Sequence, residues 1–428
     1  MGPPTHTTYD DAKLVLKVLL EAGHGAMFAG GCVRDRLLGL TPKDYDIATS
    51  ARPFQVNDLF KSKHMRVIPT GIDHGTVTIV TRSGPVEITT LRRDVKTDGR
   101  HAVVDFDHAT FETDAARRDF TINAMFEDEA GQIHDFAGGM QDIKDRVLRF
   151  VGAPEARIRE DYLRILRYFR FWARLGFAPD ESALTAIKNE STGLSQLSAE
   201  RVTSEIWGIF TAPLCADAVA AMALYKILPI VIPQSCRLDH RTMVMLRDCV
   251  NLPQDARPWA ILALVLGLGQ DVDWSEAKTF EFARGRRFSE KDAQTLAAIF
   301  SGWKALPALS RSTSDALDFA EWVEQKNPVR TLTEFYTAIW SFFAQHFNDI
   351  PRLEVIGWLL AMEKSFGYRR HTASLVTGRD VLDADPTING KAVGEILNNL
   401  RVSFRNGEWQ TRPDGLEKMR NLLHSSRS

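Results

Sequence analysis

The residues best suited to chemistry lie near the start of the chain, where Phe28-Ala-Gly-Gly-Cys-Val-Arg-Asp-Arg-Leu-Leu-Gly39 is followed by Lys43-Asp-Tyr-Asp-Ile-Ala-Thr49. A Gly30-Gly31 turn entering a helix lets backbone N–H groups and the helix dipole approach a polyphosphate, and Arg34, one turn in, can clamp the same anion. Asp44 and Asp46, one residue apart on an extended segment, share a side and can hold divalent cations, with Mg2+ the expected ion. Such a pair suits two-metal phosphoryl transfer: one ion activates an attacking hydroxyl and the other neutralises the leaving pyrophosphate. Glu87, on the second strand of a predicted hairpin, is the candidate third carboxylate. An isolated D-x-D is usually a solvated loop or a helix cap, so the order and company of these residues carry the argument.

A second constellation begins at Glu160-Asp161-Tyr162-Leu163-Arg164. Asp161, Arg164, Arg167 and Arg170 recur every three residues, which on one helix forms a slowly drifting face. An aspartate accepts from an exocyclic amine and an arginine donates to ring acceptors, matching the Watson–Crick edges of cytosine and adenine. Uracil and guanine present a carbonyl in place of the amine, a mismatch of about 1–3 kcal/mol per base contact. The bland alternative is an amphipathic helix whose arginines stay wet.

Taken together, these stretches resemble the class II tRNA nucleotidyltransferase and bacterial poly(A) polymerase family, whose first motif is similar to G-G-x-V-R-D-x-L-L-G followed by D-x-D. The resemblance continues through Asp114-Ala-Ala-Arg-Arg-Asp-Phe-Thr-Ile-Asn-Ala-Met125, similar to a second, ribose-recognising motif. It implies that Asp119 and Asn123 bond a 2′-hydroxyl while Arg117 or Arg118 meets phosphate. Asp135-Phe-Ala-Gly-Gly-Met-Gln-Asp142 looks like a third motif, a hinge between catalytic head and helical neck. Its His134-Asp135 pair lacks companion histidines at helical spacing and is assigned no metal. Ser198-Ala-Glu-Arg-Val-Thr-Ser-Glu205 resembles a fifth motif, giving Glu200 and Arg201 a structural role.

Those residues need elements to carry them. The first ~145 residues read as mixed α/β. A helical pattern spans Asp11–Glu21 and a short strand Ala26–Ala29, and an antiparallel hairpin pairs Thr76–Thr81 with Val86–Arg92 across a turn at 82–85. Beyond Ala153 helical periodicity recurs at 156–176, 183–190, 199–211, 215–225, 240–250, 259–268 and 289–302. The expected fold class is α+β: a polymerase-β-like head, which is what the resemblance implies, followed by all-helical neck, body and tail. The expected divisions are 1–145 (head), 146–228 (neck with the base-reading helix), 229–330 (body) and 331–428 (tail, tRNA-binding).

Composition sets bounds. A length of 428 residues exceeds one ordinary core, and 44% apolar with 25% charged residues argues against extensive disorder. A net charge of −2 excludes a nonspecific nucleic-acid coat, yet residues 157–174 and 278–291 hold local clusters of basic residues. The four cysteines form no C-x-x-C pair, which fits a reducing cytoplasm. No signal pattern or membrane-length apolar run is seen, and no stable protein partner is implied.

Within the family, the resemblance implies addition of C, C and A to tRNA from CTP and ATP. Poly(A) polymerases carry Gly-Arg-Arg-Phe soon after the first motif, where this chain reads Ile68-Pro-Thr-Gly-Ile-Asp-His-Gly-Thr-Val-Thr78; its Gly285-Arg-Arg-Phe288 comes some 200 residues too late. CC-only enzymes lack a flexible loop, and here a polar, strand-poor segment from Arg92 to Thr113 fills that place, with Asp98-Gly99-Arg100-His101 as a hinge for switching from C to A. An A-adding-only enzyme keeps both loop and template pair and stays open. Where some relatives place a His-Asp metal pair, this chain has Ala263-Leu-Val-Leu-Gly-Leu-Gly269, so phosphatase activity is not expected. Thr377–Leu382 and Val393–Leu397 resemble a tail element of bacterial relatives. A noncatalytic RNA-binding protein is the rival class, and binding alone would not require Asp44, Asp46, Asp161 and Arg164.

Overall fold

Residues 7–71, 75–97, 102–235, 237–252, 254, 257–267, 274–305, 375–405 and 408–425 are described by a computed structural model. They fall into two compact units, Met1–Gln234 and Ser235–Ser428.

The first unit begins with α1 (Tyr9–Glu21), started by the Thr8 hydroxyl accepting from the Asp11 N–H. Then come β1 (Ala26–Ala29), α2 (Gly31–Leu37), β2 (Tyr45–Thr49), α3 (Pro53–Ser62), β3 (Arg66–Gly71), β4 (Thr76–Val80) and β5 (Pro85–Thr90). After β6 (Arg93–Thr97), β7 (Ala102–Asp105) and α4 (Phe111–Ala116), the chain returns to the sheet with β8 (Met125–Glu127) and β9 (Ile133–Asp135). Seven strands form one mixed sheet, in the order β3-β4-β5-β2-β1-β8-β9. The β2–β5 pair is parallel and the others are antiparallel.

Strand alternation explains what this sheet does. Tyr45 and Ile47 of β2 are buried with Val15, Leu16, Phe28, Phe60 and Ile88, in a core shared by α1, α3 and the sheet. Asp46 takes the opposite face, beside Ala48 and the smaller cluster of Ala29, Ala115, Ala124 and Phe126. The expected hairpin is β4–β5, with Val80 opposite Pro85. The segment expected to be strand-poor contains a second hairpin instead: β6 pairs with β7 antiparallel, Arg93 opposite Asp105. Its Val103-Val104 run and cross-strand Arg93–Asp105 pair supply strand character that the polar composition concealed. Residues 98–101, the proposed hinge, lie outside the described residues.

Helices follow: α5 (Gly139–Asp145), α6 (Pro154–Glu160), α7 (Leu163–Leu175), α8 (Glu181–Glu190), α9 (Ala199–Phe210), α10 (Cys215–Leu224) and α11 (Leu228–Val231), with the short β10 (Val147–Leu148) and β11 (Ala178–Pro179) pairing in parallel. The single helix expected over 156–176 is broken in two. Asp161 is extended at φ −156°, and its carboxylate accepts the Leu163 N–H at 3.1 Å to start α7 afresh. The hinge-like 135–142 segment is tied on both sides. The Thr121 hydroxyl donates to Asp142 at 2.6 Å, and Arg149 bridges Asp142 and Asp180. Gly139 is obligatory there, because a Cβ would stand 2.3 Å from the Thr121 carbonyl oxygen. His134 pairs with Asp128 at 2.9 Å.

The second unit contains α12 (His240–Asp248), α13 (Arg257–Val265), α14 (Glu276–Gly285) and α15 (Glu290–Ala305), and near its end α16 (Gly378–Ala384), α17 (Gly390–Arg405) and α18 (Arg412–Ser425). From Pro258 to Val265, α13 is buried throughout, so its apolar run packs a core. α16–α18 close around Val381, Leu400, Trp409 and Met419, and Arg412 pairs with Asp380 at 2.5 Å. Most of the expected tail, residues 331–374, lies outside the described residues. Among the described residues, no helix is long and apolar enough to cross a membrane.

Candidate active site

The parallel register of β2 and β5 sets Asp46 directly beside Glu87, and both line one cavity of about 570 Å³. That size suits a small ligand such as a nucleotide. Burial, the neighbouring Glu87 charge and Asp44 hold the Asp46 carboxyl up at about 6, against an opposing pull from Arg118. Among the described residues, neither carboxylate accepts a hydrogen bond from protein. Crowded acceptor oxygens without donors are what a cation resolves. Asp44 stands just before β2, exposed and outside the cavity wall, and reaches Asp46 through its charge. No group of three or more His, Cys, Asp or Glu side chains among the described residues forms a metal cage. A magnesium site needs none, because one or two carboxylates plus substrate phosphates and water complete its shell.

Gly30 and Gly31 line the cavity where β1 turns into α2. Gly30 sits at φ +72°, and a Cβ there would lie 2.7 Å from an Arg118 nitrogen, so glycine is needed for both conformation and space. The position of Arg34 differs from the phosphate clamp expected of it. It is 3% exposed, donates to Asp35 through Nε and Nη2, and donates through Nη1 to the side-chain amide oxygen Oδ1 of Asn123. Burial lowers its affinity for a proton more than Asp35 raises it. Arg34 braces the wall, and the cationic groups pinned at the cavity rim are Arg117 and Arg118, both held by buried Asp114. Asp114 escaped sequence reasoning, since its role depends on partners three and four residues ahead on a very short helix.

Asp119 and Asn123 also line the cavity, yet they are bonded to each other and to neighbours. One Asp119 oxygen accepts from the Asn123 amide at 3.1 Å and the Phe120 N–H at 2.9 Å; the other receives Arg167 at 2.6 Å. Desolvation raises the Asp119 carboxyl, but Arg167 and these hydrogen bonds outweigh it and leave it below the ordinary value.

The helix break changes the base-reading argument. Asp161 does not lie on the α7 face with Arg164, Arg167 and Arg170; it precedes the helix. Asp161, Arg164 and Arg167 nevertheless line the cavity, whereas Arg170 does not and pairs with Glu205 of α9 at 3.1 Å. Arg201, expected to be structural, lines the cavity and donates to Asp161 Oδ2 at 2.6 Å. The 40-residue separation between that pair hides it from any periodicity.

Comparison with known proteins finds relatives for this chain. Residues 26–149 match the poly A polymerase head domain and residues 176–238 the probable RNA and SrmB-binding site of polymerase A. The chain is 44% identical over 198 residues to the CCA tRNA nucleotidyltransferase 1, mitochondrial, of Homo sapiens, a match covering 45% of each chain. It is 37% identical over 264 residues to a CCA-adding enzyme of Streptococcus pyogenes serotype M2, covering 61% of this chain and 64% of that one. The chain thus spans about half the length of the curated vertebrate relatives it matches. The Bacillus stearothermophilus CCA-adding enzyme in complex with CTP superposes over 100% of both chains, with TM-score 0.66 and 28% identity. Residues 26–149 and 176–238 thus match, in order, the head and RNA-binding models of polymerase A, with a mixed-sheet head carrying the carboxylates and helices after it.

Proposed function

We propose that this protein adds C, C and A to the 3′ end of tRNA from CTP and ATP without a nucleic-acid template. One observation carries the reading: a single cavity is lined by the Asp46–Glu87 pair, by Gly30, Gly31 and Arg118, and by Asp161 and Arg164. The first set serves phosphoryl transfer, the second the triphosphate and the third a base edge. The tRNA 3′-hydroxyl oxygen forms a bond to the α-phosphorus while the bond to pyrophosphate breaks. Asp46 and Asp44 would hold Mg2+, which when bound supplies charge neutralisation at the triphosphate and a more acidic attacking hydroxyl. Asp119 and Asn123 act on the ribose side through the shape of their bonded pair. Residues 1–145 serve as head, 146–228 as neck, and the helices beyond hold tRNA chiefly through its backbone and shape. The relatives' names and the CTP complex support the substrate class. Cys32, Cys215 and Cys249 are buried thiols, which suits a reducing compartment, and we place the work in the cytoplasm.

The test is nucleotide addition by purified protein with Mg2+ on tRNAs ending in the discriminator base, C or CC, with each NTP supplied separately. The expected products are C, C and then one A. Addition of A alone to CC ends indicates the partial enzyme, and an unlimited A tail indicates poly(A) synthesis. Asp46→Asn is expected to abolish transfer of every NTP; full activity in that variant would refute the two-carboxylate reading.

A further inference from the structure

Asp35 is a buried carboxylate that holds two arginines. Its Oδ1 accepts from Nε and Nη2 of Arg34 at 2.8 and 2.6 Å, and its Oδ2 receives Nη2 of Arg174, on α7, at 2.8 Å. The Asp35 side chain is 6% exposed and that of Arg34 3%, whereas Arg174 is 37% exposed and reaches in from the surface. A carboxylate so covered needs a cation, because a buried charge left unpaired is strongly destabilising. One cation meets that need, so Asp35 has one more than it requires.

Of the two, Arg34 is the one beside the cavity. It lines the wall, and its Nη2 comes within 3.7 Å of where a Gly31 Cβ would stand, so the guanidinium lies against the glycine turn itself. Burial lowers its hold on a proton, and the Arg174 charge acts in the same direction. Two guanidinium groups therefore compete for one carboxylate, and the buried one borders the Gly30–Gly31 turn. The 139-residue separation of Asp35 and Arg174 keeps this arrangement out of any sequence pattern.

We propose that Arg174 is a positioning residue for the triphosphate: it keeps Asp35 paired, so that Arg34 can turn its guanidinium to phosphate without leaving a bare buried carboxylate. This rests on the reading of the cavity beside Gly30, Gly31 and Arg118 as the triphosphate site. Without Arg174, Asp35 depends on Arg34 alone, and each bond given to phosphate is opposed by the carboxylate it uncovers. A lysine at 174 supplies the single charged donor that Oδ2 requires, since no bidentate fork is used there. An asparagine at 35 removes the charge that has to be held, and the need for Arg174 goes with it.

The experiment measures single-nucleotide addition by the full chain on tRNA ending in the discriminator base and in CC, with excess Mg2+ and with inorganic triphosphate as a competing inhibitor. Wild type, Arg174→Ala, Arg174→Lys, Asp35→Asn and the Asp35→Asn/Arg174→Ala double variant are compared, each with a thermal melt. Arg174→Ala is expected to raise KM for CTP and ATP about tenfold with kcat little changed, and to weaken inhibition by inorganic triphosphate by about the same factor. The preference for CTP over UTP should stay as in wild type, because the base edge is untouched. Arg174→Lys should recover most of the loss, and in the Asp35→Asn background Arg174→Ala should add nothing. A purely structural pin predicts otherwise: a lower melt with triphosphate inhibition unchanged, or effects of the two substitutions that simply add, and either result overturns the proposal. If Asp35→Asn fails to fold, the triphosphate inhibition of Arg174→Ala decides. A wild-type protein that inorganic triphosphate does not inhibit sinks the triphosphate-site premise, whereas an inhibited wild type with an equally inhibited Arg174→Ala sinks only the role of Arg174.

Discussion

Asp161 has two tasks at once. One oxygen accepts the Leu163 N–H and starts α7, and the other holds Arg201 across from α9. Asp161→Ala should therefore lower stability by about 1 kcal/mol, as loss of a cap does. It should also reduce discrimination of CTP over UTP by about ten- to a hundredfold, because a base amine loses its acceptor. Calorimetry and competition between NTPs separate the two effects, and unchanged selectivity would remove Asp161 from base reading. What sequence made legible here were residue types whose chemistry is scarce, the carboxylates Asp46 and Glu87 and the Asp161–Arg164 pair. The contacts that sequence did not show join residues far along the chain: Arg34 bonds Asn123 89 positions away, Arg167 bonds Asp119 48 away and Arg170 bonds Glu205 35 away. Spacing within a helix reports which face a residue takes, but not which distant charge already occupies that face.

At the scale of elements, the turn from β1 into α2 does the most with the fewest residues. Gly30 supplies a positive φ, and its missing Cβ leaves room for Arg118, which Asp114 and the Asn123 carbonyl hold in place. A methyl group there faces a guanidinium that cannot swing aside without breaking those bonds. Gly30→Ala is expected to destabilise the fold by about 1–3 kcal/mol through backbone strain and to weaken nucleotide binding by displacing Arg118. Denaturant unfolding and nucleotide titration would measure the two, and a variant indistinguishable from wild type in both would deny the turn this role. The turn was readable because two consecutive glycines before an apolar helical pattern have few other uses. The break between α6 and α7 was not, since Arg157-Ile-Arg-Glu-Asp161 continues the helical periodicity. Only the Asp161 carboxylate, bonding two residues ahead, reveals a new helix start. The β6–β7 hairpin escaped for a related reason: its strand character comes from pairing, and its side chains alternate too weakly to announce it.

For the whole molecule, charge is the useful variable. Fifty-three basic residues nearly balance 55 acidic ones, yet the cavity is lined by six arginines, Arg34, Arg117, Arg118, Arg164, Arg167 and Arg201, against the four carboxylates Asp46, Glu87, Asp119 and Asp161. A chain of near-zero net charge cannot attract a polyanion by its overall field, so affinity for RNA must come from local clusters that displace counterions phosphate by phosphate. Binding of the proposed tRNA substrate should then fall linearly on a log–log plot against salt, with a slope of about −0.7 to −0.9 per phosphate contacted. A nucleotide enclosed by the cavity exchanges few counterions, and its contacts lie behind protein walls where screening is weak, so its affinity should change far less over the same range. Fluorescence titrations of tRNA and of CTP between 50 and 200 mM salt, an interval over which about six phosphate contacts would weaken RNA binding roughly a thousandfold, measure both slopes on one preparation. A flat tRNA slope would mean that RNA is held by base and shape contacts without counterion release. A CTP slope as steep as that for tRNA would mean that the cavity arginines act as an open charged surface, and the enclosed-site reading would fail with it.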